Sequence, residues 1–227
     1  MTTLMMLLAL GLTGVSPGEL EMSGSLPEAG MAWQEEGDPA GQARIMCRLL
    51  EEALYAGHGV RARLLVSELS GMVADRRMVD FWYARIAWIA GLEQLAVEEL
   101  EAIPGDDWLA LRARGMARSL ARDPETAIPL LELSLEAAAT TRRRFWSAVD
   151  LCWAELAAGN TGTALQMASF LADSFPGDAI PDVLRALCEY RSGNFASAMV
   201  ILQRVSLDPM SGTGPVSMAR DLLGDFE

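Results

Sequence analysis

"LAAGNTGTALQMASFLADSFPGD", residues 156–178, is echoed by "YRSGNFASAMVILQRVSLDP", residues 190–209. Gly159, Asn160 and Ala164 have identical partners 34 residues on, at Gly193, Asn194 and Ala198. At the same register upstream, a glycine again stands five residues ahead of an alanine, as Gly57 with Ala62 and Gly91 with Ala96, so these four glycines are spaced by 34, 68 and 34. The double interval has room for one further copy, which Ala127 in "RDPETAIPLLE" fills with Arg122 standing where the glycine belongs. Successive alanines are then 34, 31, 37 and 34 residues apart, which sums to four repeats of 34.

Most of these alanines open an apolar stripe: Ala62, Val66, Leu69 and Val73; Ala96, Leu100 and Ile103; Ala164, Ala168, Leu171 and Phe175; Ala198, Leu202 and Val205. Spacing of i, i+4, i+7 is one face of an amphipathic helix. Ahead of each glycine lies a second apolar segment, such as "VDFWYARIAWIA" (79–90) or "FWSAVDLCWAELAA" (145–158). Each unit therefore reads as helix, tight turn, helix. Glycine in the left-handed conformation ends the first helix, and Asn160 or Asn194 is placed to cap the second. Pro104, Pro176 and Pro209 come after the second helices and stop them. Asp123 and Pro124 suit the cap and first residue of their helix, whereas Pro129, five places further in, predicts a kink or a delayed start.

A 34-residue period with this turn resembles the tetratricopeptide repeat, carried by Gly57, Gly91, Gly159 and Gly193, by Ala62, Ala96, Ala127, Ala164 and Ala198, and by Pro176. The family's leucine and glycine positions in the first helix are replaced here by Leu151 then Cys152 and by Arg185 then Ala186. The resemblance implies an all-α fold: a right-handed α-solenoid of about five helix-turn-helix repeats over residues 40–227, ending in a C-terminal capping helix at "PVSMARDLLGDF" (215–226). It also implies that the first helices line a concave groove that takes an extended peptide or a helix of a partner protein. By register the groove residues are Arg44, Tyr55, Phe81, Arg85, Trp88, Arg112, Met116, Trp146, Trp153, Tyr190 and Arg191. Arginines among aromatics are the usual composition of interface anchors, and a guanidinium suits a partner's carboxylate. The same residues fit blander roles, Trp146 and Trp153 in a core and the arginines on a solvated helix face.

The rest of the sequence narrows the function. At 227 residues and 51% hydrophobic content the chain can bury a continuous core. Its net charge is −13, and all 18 basic residues are arginine, which reads as GC-rich, bacterial coding rather than a physical need. Such a chain repels phosphate backbones, so no nucleic-acid partner is expected; the one basic run is Arg142, Arg143 and Arg144. Cys47, Cys152 and Cys188 are too scattered for a disulfide framework or a CxxC site, and read as small buried side chains. Cys152 and Cys188, 36 residues apart, could face each other on neighbouring helices, with or without a disulfide.

Residues 4–15, "LMMLLALGLTGV", are too short to span a bilayer and fit the hydrophobic region of a signal peptide, although neither a preceding Arg nor a clean cleavage site accompanies them. A signal at 1–15 predicts a periplasmic or secreted protein; a buried N-terminal helix there leaves it cytoplasmic. Residues 16–39 carry six carboxylates and no base, and read as an acidic linker. Catalysis finds no foothold: the single histidine, His58, lies in a turn, and no nucleophile triad, phosphate loop or metal motif is present. The expectation is a non-enzymatic adaptor without cofactors that binds a protein or peptide, the alternative being a structural subunit of a homo-oligomer or larger assembly.

Overall fold

The structure, a computed structural model, describes residues 16–22, 26–176, 178–208 and 213–226. All regular elements among them are helices: α1 (Pro17–Met22), α2 (Leu26–Glu35), α3 (Pro39–Tyr55), α4 (Gly59–Leu69), α5 (Arg76–Ile89), α6 (Glu93–Glu101), α7 (Trp108–Leu120), α8 (Pro124–Ala137), α9 (Thr141–Ala157), α10 (Thr161–Ser174), α11 (Ile180–Arg191), α12 (Phe195–Leu207) and α13 (Thr213–Phe226). Helices α3 to α12 form five successive pairs, each packed on the next, so the expected all-α solenoid is what the chain builds. No described helix is long and apolar enough to cross a membrane.

The turns within the pairs are chemically the same. At Gly57, Gly91, Gly159 and Gly193 the backbone is left-handed, with φ between 68° and 84°. Each such N–H donates to the carbonyl three residues back, and the next N–H to the carbonyl five back, as in Gly159 to Leu156 and Asn160 to Glu155. This is the Schellman closure, which satisfies carbonyls that a helix end leaves orphaned. Arg122 makes the same two bonds with φ 59°, so the third unit keeps the turn and carries its strain in place of the glycine. Gly37, φ 70°, makes a sixth copy between α2 and α3, upstream of the repeats legible in the sequence.

Five residues beyond each turn stands the alanine of the repeat, and all five alanines are wholly buried. Close approaches of paired helices are seen in the third and fourth units. An added Cβ on Gly115 of α7 would fall 2.6 Å from Cγ of Leu131 on α8. In the fourth unit Cys152 takes that place, with its sulfur 3.3 Å from the Ala164 carbonyl oxygen. Larger apolar residues fill the space between units: Leu50, Val66, Phe81 and Ile103 join the first three, Phe145, Leu171 and Leu184 the fourth and fifth, and Val183, Leu202 and Ala219 the fifth and α13. Each large side chain so buried contributes about 1.5–3 kcal/mol.

Helix α13 occupies the slot of a sixth first helix, and there the array meets its own beginning. Besides packing on α12, α13 lies against α3. A Cβ on its Gly214 would stand 2.8 Å from the Glu52 carbonyl and 3.0 Å from the Tyr55 Cβ. Tyr55 at the end of α3 stacks on Trp146 of α9 at 6.3 Å between ring centroids. The first and fourth units thus touch across the inside of the curve.

Several local expectations turn out differently. The segment read as an acidic linker holds α1 and α2, whose Leu20, Leu26 and Ala29 pack on Ile45 of α3. Glu19 and Glu35 lie on the exposed side of helices that still have one apolar face. Asn160 and Asn194 occupy the cap position without capping: each side-chain amide donates 2.7 Å backwards to Glu155 or Glu189. Carboxylates and Thr140 cap instead, among them Asp123 to the Thr126 N–H, with Pro124 first in the helix as expected. Pro129 does not delay that helix, because it lies in the exposed wall where water can serve the freed carbonyl. Pro209 and the apolar residues 1–15 lie outside the described residues.

Candidate functional site

The inner face is built by α3, α5, α7, α9 and α11, and its centre is occupied by the chain's own charges. Glu51 of α3, Arg85 of α5, Arg112 of α7 and Asp150 of α9 are each at most 7% exposed. Arg85 Nη1 donates to Glu51 Oε2. Arg112 Nε donates to Asp150 Oδ2 at 2.6 Å, and its Nη2 faces Glu51 Oε1 at 3.6 Å. Two cations and two anions thus run across four successive first helices and cancel in formal charge.

Aromatic rings wall this chain of charges. The Arg112 guanidinium lies 4.9 Å from the Phe81 ring, 5.6 Å from Trp108 and 5.8 Å from Trp146. Arg85 lies 5.3 Å from Trp82 and 6.0 Å from both Tyr55 and Phe81. The low-dielectric surround strengthens both the ion pairs and the cation–π contacts. Burial opposes the charge on Arg85, but Glu51, Tyr55 and Asp150 outweigh it and hold the proton more firmly than usual. Burial, with Glu51 beside it, pushes the Tyr55 phenol above its ordinary range. The same two causes raise the Cys47 thiol to about 12. These shifts keep all three groups in their resting protonation states at neutral pH.

The residues expected to face a partner therefore divide in two. Phe81, Arg85, Arg112, Met116 and Trp146 are buried, at 0 to 7% exposure, and the two arginines are spent on internal carboxylates. A partner cannot reach them in this conformation, and the expectation of an open groove through the centre is corrected. Tyr55, Trp153 and Tyr190 are half-buried, and Trp88, Arg191 and Arg44 are exposed. Tyr55, Trp88, Tyr190 and Arg191 stand in the last turns of their helices, beside the glycine turns, with Trp153 one turn earlier. The part of the inner face that stays accessible is its turn-side rim, where Arg191 also donates to the Leu156 carbonyl at 3.1 Å.

The carboxylates of the central chain lie outside the set of arginines, aromatics and Met116 expected to line the groove. Glu51 is legible in principle, since it stands 34 residues before Arg85 in the same register of the repeat. The basic run is engaged by its own chain at the surface: Arg142, half-buried, pairs with Asp178 at 2.8 Å, while the exposed Arg143 lies over Trp108 at 4.8 Å and the exposed Arg144 donates to the Ala138 carbonyl. On the outside, the second helices expose large apolar residues, among them Val60 at 79%, Phe170 at 70% and Leu207 at 80%.

No family model and no curated protein matches the chain. Among solved structures it is similar to YrrB, described as a TPR protein with an unusual peptide-binding site, at 12% identity over 88% of this chain and 99% of that one, with a TM-score of 0.45. A likeness of that degree carries no weight for function, and the assignment of the fold as an all-α solenoid of two-helix units rests on its repeated turns and buried alanines.

Proposed function

We propose that this chain is a non-catalytic protein-interaction module whose partner, an extended peptide or a helix, docks on the turn-side rim of the inner face. The observation behind this reading is that rim: Trp88, Trp153, Tyr190 and Arg191 combine accessible aromatic area with a cation, the chemistry of interface anchors. The deep charges contribute stiffness rather than contact, since they are already paired. The apolar residues 4–15 favour export to a bacterial envelope, and the net charge of −13 disfavours nucleic acid.

The test is capture from the native organism followed by mass spectrometry, run in parallel with Trp88→Ala, Tyr190→Ala and Arg191→Ala. Recovery of one partner should drop roughly tenfold with each substitution, the size of an anchor loss, at a temperature where circular dichroism shows every variant fully folded. Capture that ignores all three substitutions refutes the rim. The second reading, a subunit that pairs with its own copies, is favoured by the exposed apolar residues of the second helices. Solution mass decides it: 24.5 kDa for the whole chain as a monomer, or a multiple.

A further inference from the structure

The outer wall of the array changes charge from one helix to the next. Helix α6 carries Glu93, Glu98, Glu99 and Glu101 and no base; all four are exposed, and of these Glu101 is held by Arg118 at 2.9 Å. Helix α4, one unit earlier, turns Arg61 and Arg63 outward. Arg63 makes no ion pair among the described residues. No other second helix offers such a cation: α6, α8 and α10 contain no base, and Arg204 of α12 is committed to Asp182 at 2.7 Å. The same two helices expose large apolar side chains, Val60 and Leu64 on α4 and Leu92 and Leu95 at the start of α6.

A basic apolar helix beside an acidic apolar helix makes a surface that complements itself when turned over. From this pairing we infer that a second copy of the chain covers this part of the wall. A two-fold axis running along and between α4 and α6 lays α4 of each protomer on α6 of its partner, so one contact is made twice. Rotation about that axis exchanges the flanks of a helix. Counted at about 100° per residue from the buried Ala62 and Ala96, Arg63 and Glu99 fall on opposite flanks, and the rotation brings them to the same side. In the register of the repeat they stand one and three residues past those alanines, about 3 Å apart in height. Laying α4 on the partner's α8, which is also acidic, would instead stack α6 on its own copy, four carboxylates against four. A chain of net charge −13 repels its copies in general, so association is confined to a place where a free cation meets carboxylates.

Such a dimer rests on the self-pairing reading given above and stands apart from the rim, whose Tyr190 and Arg191 belong to the fifth unit. It is tested by sedimentation of the full chain at about 50 μM, where a specific dimer of micromolar affinity is formed. The expected mass is twice the 24.5 kDa of the chain. Arg63→Glu and Glu99→Arg, each confirmed as folded by circular dichroism, should each raise the dissociation constant more than roughly tenfold by setting like charges together. Mixing the two variants should restore the dimer, because one contact then has both charges reversed and the other has both as in the wild type. Glu132→Arg on α8 should leave the mass of the dimer unchanged. A wild type that stays at 24.5 kDa leaves the wall to another partner and overturns both this dimer and self-pairing. A dimer that survives Arg63→Glu and Glu99→Arg, or variants whose mixture stays monomeric, overturns the contact of α4 with α6 and leaves self-pairing through another surface standing.

Discussion

Replacing Arg112 by methionine tests whether the central charges hold the units together as a set. Arg112 is 2% exposed, bonds Asp150 at 2.6 Å and faces Glu51 at 3.6 Å. Its removal leaves two carboxylates and one guanidinium in a space walled by aromatic rings, a net buried charge of −1 with Asp150 stripped of its partner. Breaking a buried pair from one side costs about 3–5 kcal/mol, a large share of the roughly 5–15 kcal/mol typical of a folded domain. With a urea slope of roughly 2 kcal/mol/M, the midpoint followed by circular dichroism should fall by about 2 M. Adding Asp150→Leu restores neutrality, because Glu51 and Arg85 remain as a complete pair, and should recover at least half of the loss. Arg76→Met, which severs a surface pair with Asp80 whose side chains are 71% and 47% exposed, should shift the midpoint hardly at all. A single-variant shift below about 0.5 M, or a double variant that loses the sum of its parts, would refute the picture of an interdependent charge chain.

Three further perturbations probe the repeat and its seam. Arg122→Gly should stabilise by about 0.5 kcal/mol, since relief of the left-handed backbone exceeds the entropy that glycine costs, while Gly159→Ala at the same point of the next turn should destabilise by about 1 kcal/mol; urea midpoints compare the two. Gly115→Val places a Cβ 2.6 Å from Leu131 Cγ and 3.4 Å from its backbone nitrogen, so α7 and α8 must separate, at a cost of about 1–3 kcal/mol read from the melting temperature. Glu52, beside α13, has its carboxyl pKa raised above the ordinary 4.5, by burial first and by Asp178, against the opposing pull of Arg48, Arg61 and Arg142. The folded chain therefore holds this proton to higher pH than the unfolded one, and its contribution to stability falls as pH rises through the window above 4.5. Glu52→Gln should remove that slope and stabilise the protein at neutral pH, as thermal melts from about pH 4 to pH 7 would show.

The repeat is legible because its two strictest demands leave a mark in the residue type. A left-handed turn selects glycine and a close helix crossing selects alanine, so both recur at the period whatever happens to the residues between them. Arg122 shows the limit: the turn persists at a position where its usual residue is missing, and only the intact spacing around it betrays the unit. Residues 16–39 mislead for the opposite reason. Composition averaged over the segment reports its carboxylates, while Leu20, Leu26 and Ala29 need only one face to dock on Ile45. Register places Arg85 and Arg112 correctly on the inner helices, but their fate depends on acids elsewhere in the chain. A guanidinium is a contact residue or a buried one according to whether a carboxylate meets it first, and no local pattern records that meeting.

Closure of the curve decides which inner residues a partner can meet. In an open array every unit has neighbours on two sides except the terminal ones, and stability is nearly a sum over adjacent pairs. Here α13 rests on α3, and Tyr55 reaches Trp146 from 91 residues away in sequence. The first unit thereby gains contacts with the fourth and with the C-terminal helix, while the inner face loses the room an extended peptide would need along its centre. That exchange explains why large aromatic residues at groove register became core, and why accessible ones remain only beside the turns. It also ties recognition to closure: any partner that reached Arg85 or Arg112 would have to part α13 from α3 and supply carboxylates in place of Glu51 and Asp150, whereas one that meets Trp88, Tyr190 and Arg191 meets the closed form as it stands.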